Sequence, residues 1–168
     1  MSPLAAMLCL RLAEPADASR LARLADHTGG SWTEAGFAAS LSGSARGWVI
    51  DAPGALPFGE LHVGDALRPA IAAAILVQPG PDDWEVLDLA VAPACQRQGL
   101  ARRLLAHVKA MAGHAGAERL LLEVRAGNQR AQSVYAAAGF CQLALRPGYY
   151  SARAARPADD AVVLACPL

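Results

Sequence analysis

An excess of charge of either sign is missing from this chain of 168 residues, whose 15 basic residues equal its 15 acidic residues. Proteins that bind the nucleic-acid backbone carry an excess of basic residues, so the composition offers no electrostatic case for nucleic-acid binding. Long apolar runs are missing too, because the longest, Ala70–Val77, is far too short to span a bilayer. The apolar start, Met1–Leu12, has no basic leader, which argues against a signal peptide. We therefore predict a soluble, cytoplasmic protein with no nucleic-acid or membrane partner.

Paired metal ligands are also missing. The cysteines Cys9, Cys95, Cys141 and Cys166 are scattered without a Cys-x-x-Cys pair, and the 4 histidines show no ligand spacing. Isolated cysteines are typical of free thiols in a reducing compartment, not of a disulfide framework or a zinc site. We predict free thiols and no metal.

Apolar residues make up 54% of the chain, enough for a globular core, and the length fits a single domain over residues 1–168. Apolar patterning predicts strands at Leu8–Leu12, Trp48–Ile50, Ile71–Gln78, Trp84–Val91, Arg119–Val124, Phe140–Leu145 and Ala161–Cys166. Helical spacing and cap residues predict four helices. The first spans Ala16–His27, the third begins at Leu100, and the fourth spans Asn128 to Ala138. The second begins at the capping-box pattern Ser31-Trp32-Thr33-Glu34 and directs Phe37 and Leu41 inward. The Pro- and Gly-rich segment Ala52–Pro69 predicts a long loop, with a hairpin around Glu60–Val63 as one interpretation. This order predicts a mixed sheet covered by helices.

The junction between the strand Trp84–Val91 and the following helix is the most informative part of the sequence. The strand ends near Pro93, which cannot donate a ladder hydrogen bond, and Gly99 stands where the exit loop becomes a helix. A glycine there lets the backbone approach a ligand, and the first helical turn offers unpaired amides that suit an anion such as a pyrophosphate. The flanking basic residues are Arg97, Arg102 and Arg103. An ordinary strand-to-helix turn with a solvated basic face is the alternative.

The hexapeptide Gln96-Arg97-Gln98-Gly99-Leu100-Ala101 resembles the Gln/Arg-x-x-Gly-x-Gly/Ala loop that holds the acyl-CoA pyrophosphate in the GNAT acetyltransferases. The preceding Leu89-Ala90-Val91-Ala92-Pro93 resembles the same family. The hexapeptide is neither a dinucleotide fingerprint, Gly-x-Gly-x-x-Gly, nor a P-loop with Gly-Lys-Ser/Thr. Ala101 stands where many members have a second glycine, and the family tolerates this difference.

Three residues further along each allow more than one interpretation. Glu123 lies inside an apolar strand, as either a rim glutamate paired with an arginine or a partly desolvated general base. Asn128 suits the N-cap of the next helix, whatever else it does. Tyr135 suits a core aromatic, although a buried phenol needs a polar partner and a thiolate could be one.

Three segments, Glu123–Asn128, Ser133–Tyr135 and Ala138–Phe140, resemble the RimI-type branch of the GNAT family, which comprises ribosomal-protein-alanine N-acetyltransferases and relatives. The resemblance is continuous from about Val86 to Phe140 and weaker at Trp32-Thr33-Glu34, Tyr149-Tyr150 and Asp159–Leu164. It implies an α/β protein with the GNAT acyl-CoA N-acyltransferase fold. That fold has a central mixed, mostly antiparallel sheet of about seven strands flanked by about four helices.

The resemblance also implies roles for individual residues. Glu123 would be the general base, Tyr135 the acid toward the CoA sulfur, and Asn128 a cofactor contact. Backbone bonds to the pantetheine arm and the thioester carbonyl would come from Leu89, Ala90 and Val91. The pyrophosphate would be held by Arg97, Gln98, Gly99, Leu100, Ala101 and Arg102. The groove for a peptide would be lined by Trp32, Tyr149 and Tyr150, unless these three only pack or fill loops.

The implied reaction transfers an acetyl group from acetyl-CoA to the N-terminal α-amine of a protein, for example the N-terminal alanine of a small-subunit ribosomal protein. The amine would attack directly in a ternary complex. An α-amine has a pKa of about 8 and is neutral in roughly a tenth of molecules at pH 7, against about one in 2,500 for a lysine amine. A single glutamate base therefore slightly favours α-amines. Two alternatives stay open: acetylation of a lysine or a small-molecule amine, and a non-catalytic acyl-CoA-binding module.

Two segments depart from the family pattern. Ala52–Pro69 looks longer than usual. Arg146-Pro147-Gly148 stands before the tyrosines where this branch more often has a basic residue and asparagine. These departures bear on peptide specificity more than on catalysis. A covalent acyl-cysteine mechanism is disfavoured, because neither Cys95 nor Cys141 has a histidine nearby in the sequence.

Overall fold

The computed structural model describes residues 8–52, 69–152 and 157–168. Within these ranges the strands are β1 (Cys9–Leu12), β2 (Arg46–Ala52), β3 (Ala70–Gln78), β4 (Asp83–Val91), β5 (Arg119–Arg125), β6 (Cys141–Tyr150) and β7 (Asp159–Pro167). The helices are α1 (Ala18–Thr28), α2 (Glu34–Ser42), α3 (Leu100–His114) and α4 (Gln129–Ala137). Short 3-10 turns lie at Pro15–Asp17 and Pro93–Cys95.

The strands form one mixed sheet in the order β1-β2-β3-β4-β5-β7-β6. The antiparallel pairs include β1 with β2, β5 with β7, and β6 with β7. β4 and β5 pair in parallel, from Asp83 opposite Arg119 to Val86 opposite Leu122. Parallel neighbours need a crossover connection, and α3 lies in that connection. The predicted mixed α/β architecture is confirmed, with 7 strands and 4 helices in the described part of the chain.

The predicted elements occur in the predicted order, but the cap of α2 was wrongly predicted. The capping-box pattern points to Ser31, whereas Thr33 is the N-cap and its hydroxyl accepts a hydrogen bond from the Gly36 amide at 3.1 Å. Thr33 has the extended backbone that an N-cap needs, which is why the helix begins after it. Phe37 is buried as predicted, and Leu41 is half-buried.

β6 is longer than predicted, because it continues past Leu145 to Tyr150. Pro147 and Gly148 usually end a strand, but β6 lies at the edge of the sheet, where a missing donor is tolerated. The pairing with β7 shifts register between Arg146 and Tyr150, and this irregularity accommodates Pro147 and Gly148.

The predicted hairpin around Glu60–Val63 lies outside the described residues. Among the described residues, no helix combines the length and the apolar character needed to cross a membrane.

The chain is divided into two compact units, each with buried apolar side chains. The first comprises the chain up to Leu76 together with Asp88–Leu104, and its buried residues include Leu21, Phe37, Ile50 and Ile75. The second comprises Val77–Leu87 and Leu105–Leu168, and its buried residues include Val108, Leu120, Leu122 and Phe140. Removing such side chains from water is the main force that stabilises each unit. A single domain over residues 1–168 stays a prediction.

A buried group of charges lies beside β1 and β2. Arg11 donates to Asp17 at 2.7 Å and to Asp51 at 3.1 Å, and Arg20 forms a second ion pair with Asp17. Asp17 is fully buried, and burial pushes its pKa upward. Hydrogen bonds from Arg11 and the Glu14 amide outweigh burial, so the pKa of Asp17 lies below its ordinary value. This carboxylate is therefore ionised in the folded protein at neutral pH.

On β4, the carboxyl group of Asp88 lies on an apolar face of the strand. Strand alternation puts Asp88 on the same face as Trp84, Val86 and Ala90, all of which are buried. Burial raises the pKa of Asp88 to about 6, although a hydrogen bond from the Leu89 amide acts in the opposite direction. The charged form of Asp88 is therefore disfavoured by the fold.

Asp17→Asn should lower the free energy of unfolding at pH 7 by about 3 kcal/mol, because it leaves the charges of Arg11 and Arg20 without this carboxylate. The stability that Asp17 contributes is present above its ordinary pKa and is lost as the pH falls through its lower folded value. Urea denaturation measures the change, with the exposed Asp26→Asn in α1 as control. A loss no larger than that of the control would contradict this account.

Asp88→Asn should raise the free energy of unfolding at pH 7.5 by about 1–3 kcal/mol, because the substitution removes a charge that the fold disfavours. The folded pKa of about 6 exceeds the ordinary 3.8, so wild-type stability declines as the pH rises through 6. The two proteins should therefore converge below pH ~4. Urea denaturation at several pH values tests this, with the exposed Asp82→Asn as control. A difference that does not change with pH would refute it.

Candidate active site

The loop that leaves β4 turns back on itself before α3 begins. Arg97 and Gly99 both have a left-handed backbone, with φ of 62° and 79°. The side chain of Gln96 donates to the Val91 carbonyl at 3.1 Å, which ties the loop to the end of β4. Gln98 is exposed and donates to a carbonyl within the loop at 3.3 Å. The loop is thus shaped by its own polar contacts and by two residues with positive φ.

Gly99 immediately precedes the first turn of α3. Its carbonyl accepts from the Arg103 amide at 2.9 Å, which is the first bond of helical spacing, so the amides of Leu100–Arg102 have no acceptor within the helix. A side chain added at Gly99 would meet no atom within 4 Å, so the position needs glycine for its positive φ rather than for space. Leu100 is buried, whereas Ala101 is half-buried.

The basic residues of this junction differ in their surroundings. Arg97 and Arg102 are exposed. Arg103 is exposed as well, and it also donates to the Leu8 carbonyl at 3.3 Å. Two arginines and the open amides of a helix start, where the dipole is positive, provide the groups that bind a phosphate or pyrophosphate.

The last residues of β4 lead directly into this loop. Ala90 is buried, and Leu89 and Val91 are half-buried. The parallel pairing with β5 runs from Asp83 to Val86, so Leu89–Val91 follow the part of β4 that pairs with β5. The next amide, that of Ala92, donates to the Ala72 carbonyl at 2.8 Å.

Glu123 lies on the half-exposed face of β5, opposite the face that carries Leu122 and Val124. Its carboxylate forms an ion pair with Arg146 of β6, and this hydrogen bond raises the pKa of Arg146. The interpretation of Glu123 as a rim glutamate paired with an arginine is therefore correct for the geometry. Arg146 is not recognisable from the sequence as the partner of Glu123, because the two residues lie on strands separated by β7.

Two tyrosines predicted to line a substrate groove lie in the same cluster. The guanidinium of Arg146 lies 3.9 Å from the ring centre of Tyr149, and that of Arg125 lies 4.4 Å from the ring centre of Tyr150. The two rings meet edge to face at 5.0 Å. Burial, followed by the nearby charge of Glu123, raises the pKa of Tyr150. The structure thus brings Tyr149 and Tyr150 together with Glu123 around two arginines.

The remaining predicted site residues are Asn128 and Tyr135 at α4 and Trp32 before α2. Asn128 caps α4, as predicted, and its side chain accepts from the Ala131 amide at 3.1 Å. Tyr135 is buried, and its ring meets that of Phe140 edge-on at 5.8 Å. Trp32 is half-exposed before α2 and lies 5.2 Å from the ring of Phe37.

The four cysteines are free thiols, with Cys95 and Cys166 buried and Cys9 and Cys141 exposed. Burial raises the pKa of Cys95, which is the opposite of what a nucleophilic cysteine needs. No cluster of His, Cys, Asp or Glu suited to a metal ion occurs in residues 8–52, 69–152 and 157–168.

Sequence relatives include the [ribosomal protein bS18]-alanine N-acetyltransferase of Escherichia coli K12, which is 37% identical over 98 residues, 58% of this chain and 65% of the relative. The protein of the same name from Haemophilus ducreyi is 41% identical over 69 residues, 41% of this chain and 48% of the relative. The chain thus spans less than two thirds of the length of these relatives.

Solved structures show the same fold. The E. coli ribosomal-protein-S18-alanine N-acetyltransferase aligns with a TM-score of 0.77 and 26% identity, covering 96% of this chain and 94% of that chain. Arabidopsis thaliana NAA60 in complex with acetyl-CoA aligns with a TM-score of 0.77 and 17% identity, covering 96% and 98%. The sequence profile of the Acetyltransferase (GNAT) family matches residues 13–140, most of the chain. The protein therefore belongs to the Acetyltransferase (GNAT) family.

Proposed function

We propose that this protein transfers the acetyl group of acetyl-CoA to the N-terminal α-amine of a protein, with the N-terminal alanine of a small-subunit ribosomal protein as the candidate acceptor. The observation that carries the proposal is the start of α3 after Gly99, which offers open amides and exposed arginines to a pyrophosphate. The choice of acceptor is supported by the 37% identity to an enzyme named for the alanine of bS18.

The donor acetyl-CoA supplies an activated thioester, and the chain has suitable groups for each part of it. The pyrophosphate suits the amides and side chains of the turn, contributed by Arg97, Gln98, Gly99, Leu100, Ala101 and Arg102. The pantetheine arm suits the backbone of Leu89–Val91, which follows the part of β4 that pairs with β5. Asn128 is proposed as a further cofactor contact, with its amide nitrogen available while its oxygen caps α4.

Glu123 is the proposed general base. The α-amine has a pKa of about 8, so a carboxylate has to remove the proton from roughly nine molecules in ten at pH 7. Deprotonating a lysine amine, with a pKa of about 10.4, costs about 4.6 kcal/mol at the same pH, against about 1.4 kcal/mol for the α-amine, which is why one glutamate suits an α-amine better. Backbone amides near Val91 are proposed to stabilise the oxyanion that develops on the thioester carbonyl.

Tyr135 is the proposed acid toward the CoA sulfur. A phenol with a pKa near 10 is a weaker acid than a thiol near 8.5, so complete proton transfer is uphill by roughly 2 kcal/mol. A hydrogen bond from Tyr135 that stabilises the leaving thiolate therefore fits better than full donation. Its burial and its contact with the ring of Phe140 would hold the Tyr135 ring in place.

The acceptor is proposed to bind among aromatic side chains. Tyr149 and Tyr150 neighbour Glu123 through Arg146 and Arg125, and Trp32 is the third proposed contact. A newly made ribosomal protein as acceptor would place the reaction in the cytoplasm. Residues 1–168 are proposed to act as a single GNAT domain.

Acceptor specificity is tested by intact-mass analysis of mixtures with acetyl-CoA. Peptides that begin with alanine should gain one acetyl group on the α-amine, whereas Nα-blocked peptides with lysine and the polyamine spermidine should react far more slowly. Acetylation of spermidine alone would contradict the proposed acceptor. Titration calorimetry without heat from acetyl-CoA would contradict the proposed donor site and, with it, the function.

Glu123→Gln should reduce kcat by about 100- to 1,000-fold, because the amide cannot accept the proton, while the affinity for acetyl-CoA stays unchanged. Steady-state kinetics and calorimetry measure the two quantities separately. Glu118→Gln, an exposed change next to β5, is the matched control and should keep full activity. Unchanged turnover in Glu123→Gln would show that this carboxylate is not the base.

A further inference from the structure

A positively charged side chain of the protein itself already lies next to Glu123. The guanidinium of Arg146 pairs with the Glu123 carboxylate and lies 3.9 Å from the ring centre of Tyr149. The Arg146 side chain is 51% exposed and that of Glu123 is 21% exposed. A carboxylate and an aromatic face together form a subsite for a positive charge, and here the protein's own arginine is in it.

The strand register explains why this arginine reaches the glutamate. Arg146 is paired with Ala161 of β7, whereas Glu123 is paired with Val163 of the same strand, so the arginine extends diagonally across β7. The pairing shifts immediately after Arg146, where the Gly148 amide donates to Asp160 at 2.7 Å. This irregular turn of the strand leaves the ring of Tyr149 beside the guanidinium.

The acceptor brings a group of the same charge to the same place. An α-amine is mostly an ammonium ion at pH 7, and it must approach the base before it can lose its proton. Arg146 donates to one oxygen of the Glu123 carboxylate, Oε1, and its guanidinium covers the ring of Tyr149. An ammonium ion that takes the same oxygen and the same ring face therefore has to displace the guanidinium.

We propose that Arg146 is an internal competitor of the acceptor, because its guanidinium occupies the subsite of Glu123 and Tyr149 that the acceptor's ammonium group takes. The inference rests on the proposed role of Glu123 as base. Acceptor binding then exchanges one cation for another. The measured binding free energy is that of the acceptor's ammonium group in the subsite minus that of the Arg146 guanidinium which it displaces. Arg146 is a specificity-determining residue in this scheme and takes no part in the chemical step.

The strength of the internal contacts sets the size of the effect. Exposed ion pairs and exposed cation–π contacts are each weak, so the arginine can leave and rebind without blocking the reaction. Their combined effect should weaken acceptor binding by about three- to tenfold. Acceptors with further contacts beyond the amine can tolerate this loss more easily than small amines.

The test replaces Arg146 by Met, which keeps an unbranched apolar stem over Tyr149 and removes the charge. Arg146→Met should lower the KM and the calorimetric Kd of an alanine-led peptide by about three- to tenfold, with kcat within about twofold of wild type. Arg146→Lys keeps a cation and should stay close to wild type. Arg125→Met removes the matching arginine above Tyr150, which forms no ion pair with Glu123 among the contacts described, and should not tighten peptide binding.

A second measurement does not need the enzyme to turn over. N-ethylguanidinium, a small mimic of the arginine head group, should bind Arg146→Met at least threefold more tightly than wild type in calorimetry. Arg146→Gln replaces Arg146→Met if the latter fails to fold. If wild type acetylates no peptide, the proposed function fails while the guanidinium and peptide titrations still decide the inference. Unchanged or weaker binding by Arg146→Met, or by Arg146→Gln in its place, or no measurable binding by either that variant or wild type, would overturn it.

Discussion

The backbone at Gly99 is the constraint on which the donor side of this protein depends. A positive φ turns the chain so that α3 begins with three amides that have no acceptor within the helix, and the charge they present comes from the backbone itself. Side chains then add to a site that already exists, which explains why alanine at position 101 is compatible with the loop. Arg97 also has a positive φ, unusual for a residue with a side chain, so this loop contains local strain next to its proposed ligand.

The acceptor side has a different physical basis, because it depends on side-chain charges. Glu123, Arg146 and Arg125 alternate with the rings of Tyr149 and Tyr150 in one exposed cluster. Each contact is weak in water, so the cluster can rearrange at little cost. The buried charges around Asp17 behave in the opposite way, since removing one partner leaves others desolvated. Paired arginines and carboxylates therefore stabilise the fold around Asp17, whereas around Glu123 they can exchange partners.

Local patterns were sufficient to predict much of this molecule. The apolar run around Glu123 predicted β5 and left a rim glutamate and a partly desolvated base as alternatives for the carboxylate, and Asn128 was identifiable as a cap from its position alone. The cap of α2 was mispredicted because Ser31 and Thr33 both carry the required hydroxyl, and the sequence pattern alone does not tell which of them precedes the first helical turn. The Arg146–Glu123 contact could not be predicted, since it depends on strand order and on a register shift that periodicity does not encode.

The position of β6 has a consequence for the behaviour of the protein in concentrated solution. This strand lies at the edge of the sheet, and its residues are exposed from Cys141 to Tyr149, among them Leu143 and Leu145. Such an edge is a template onto which a strand of another molecule could add, which is a route to aggregation. Pro147 has no amide proton to offer an incoming chain, and the irregular backbone that follows interrupts a flat surface. The run Arg146-Pro147-Gly148 thus also opposes the addition of a foreign strand to this part of β6.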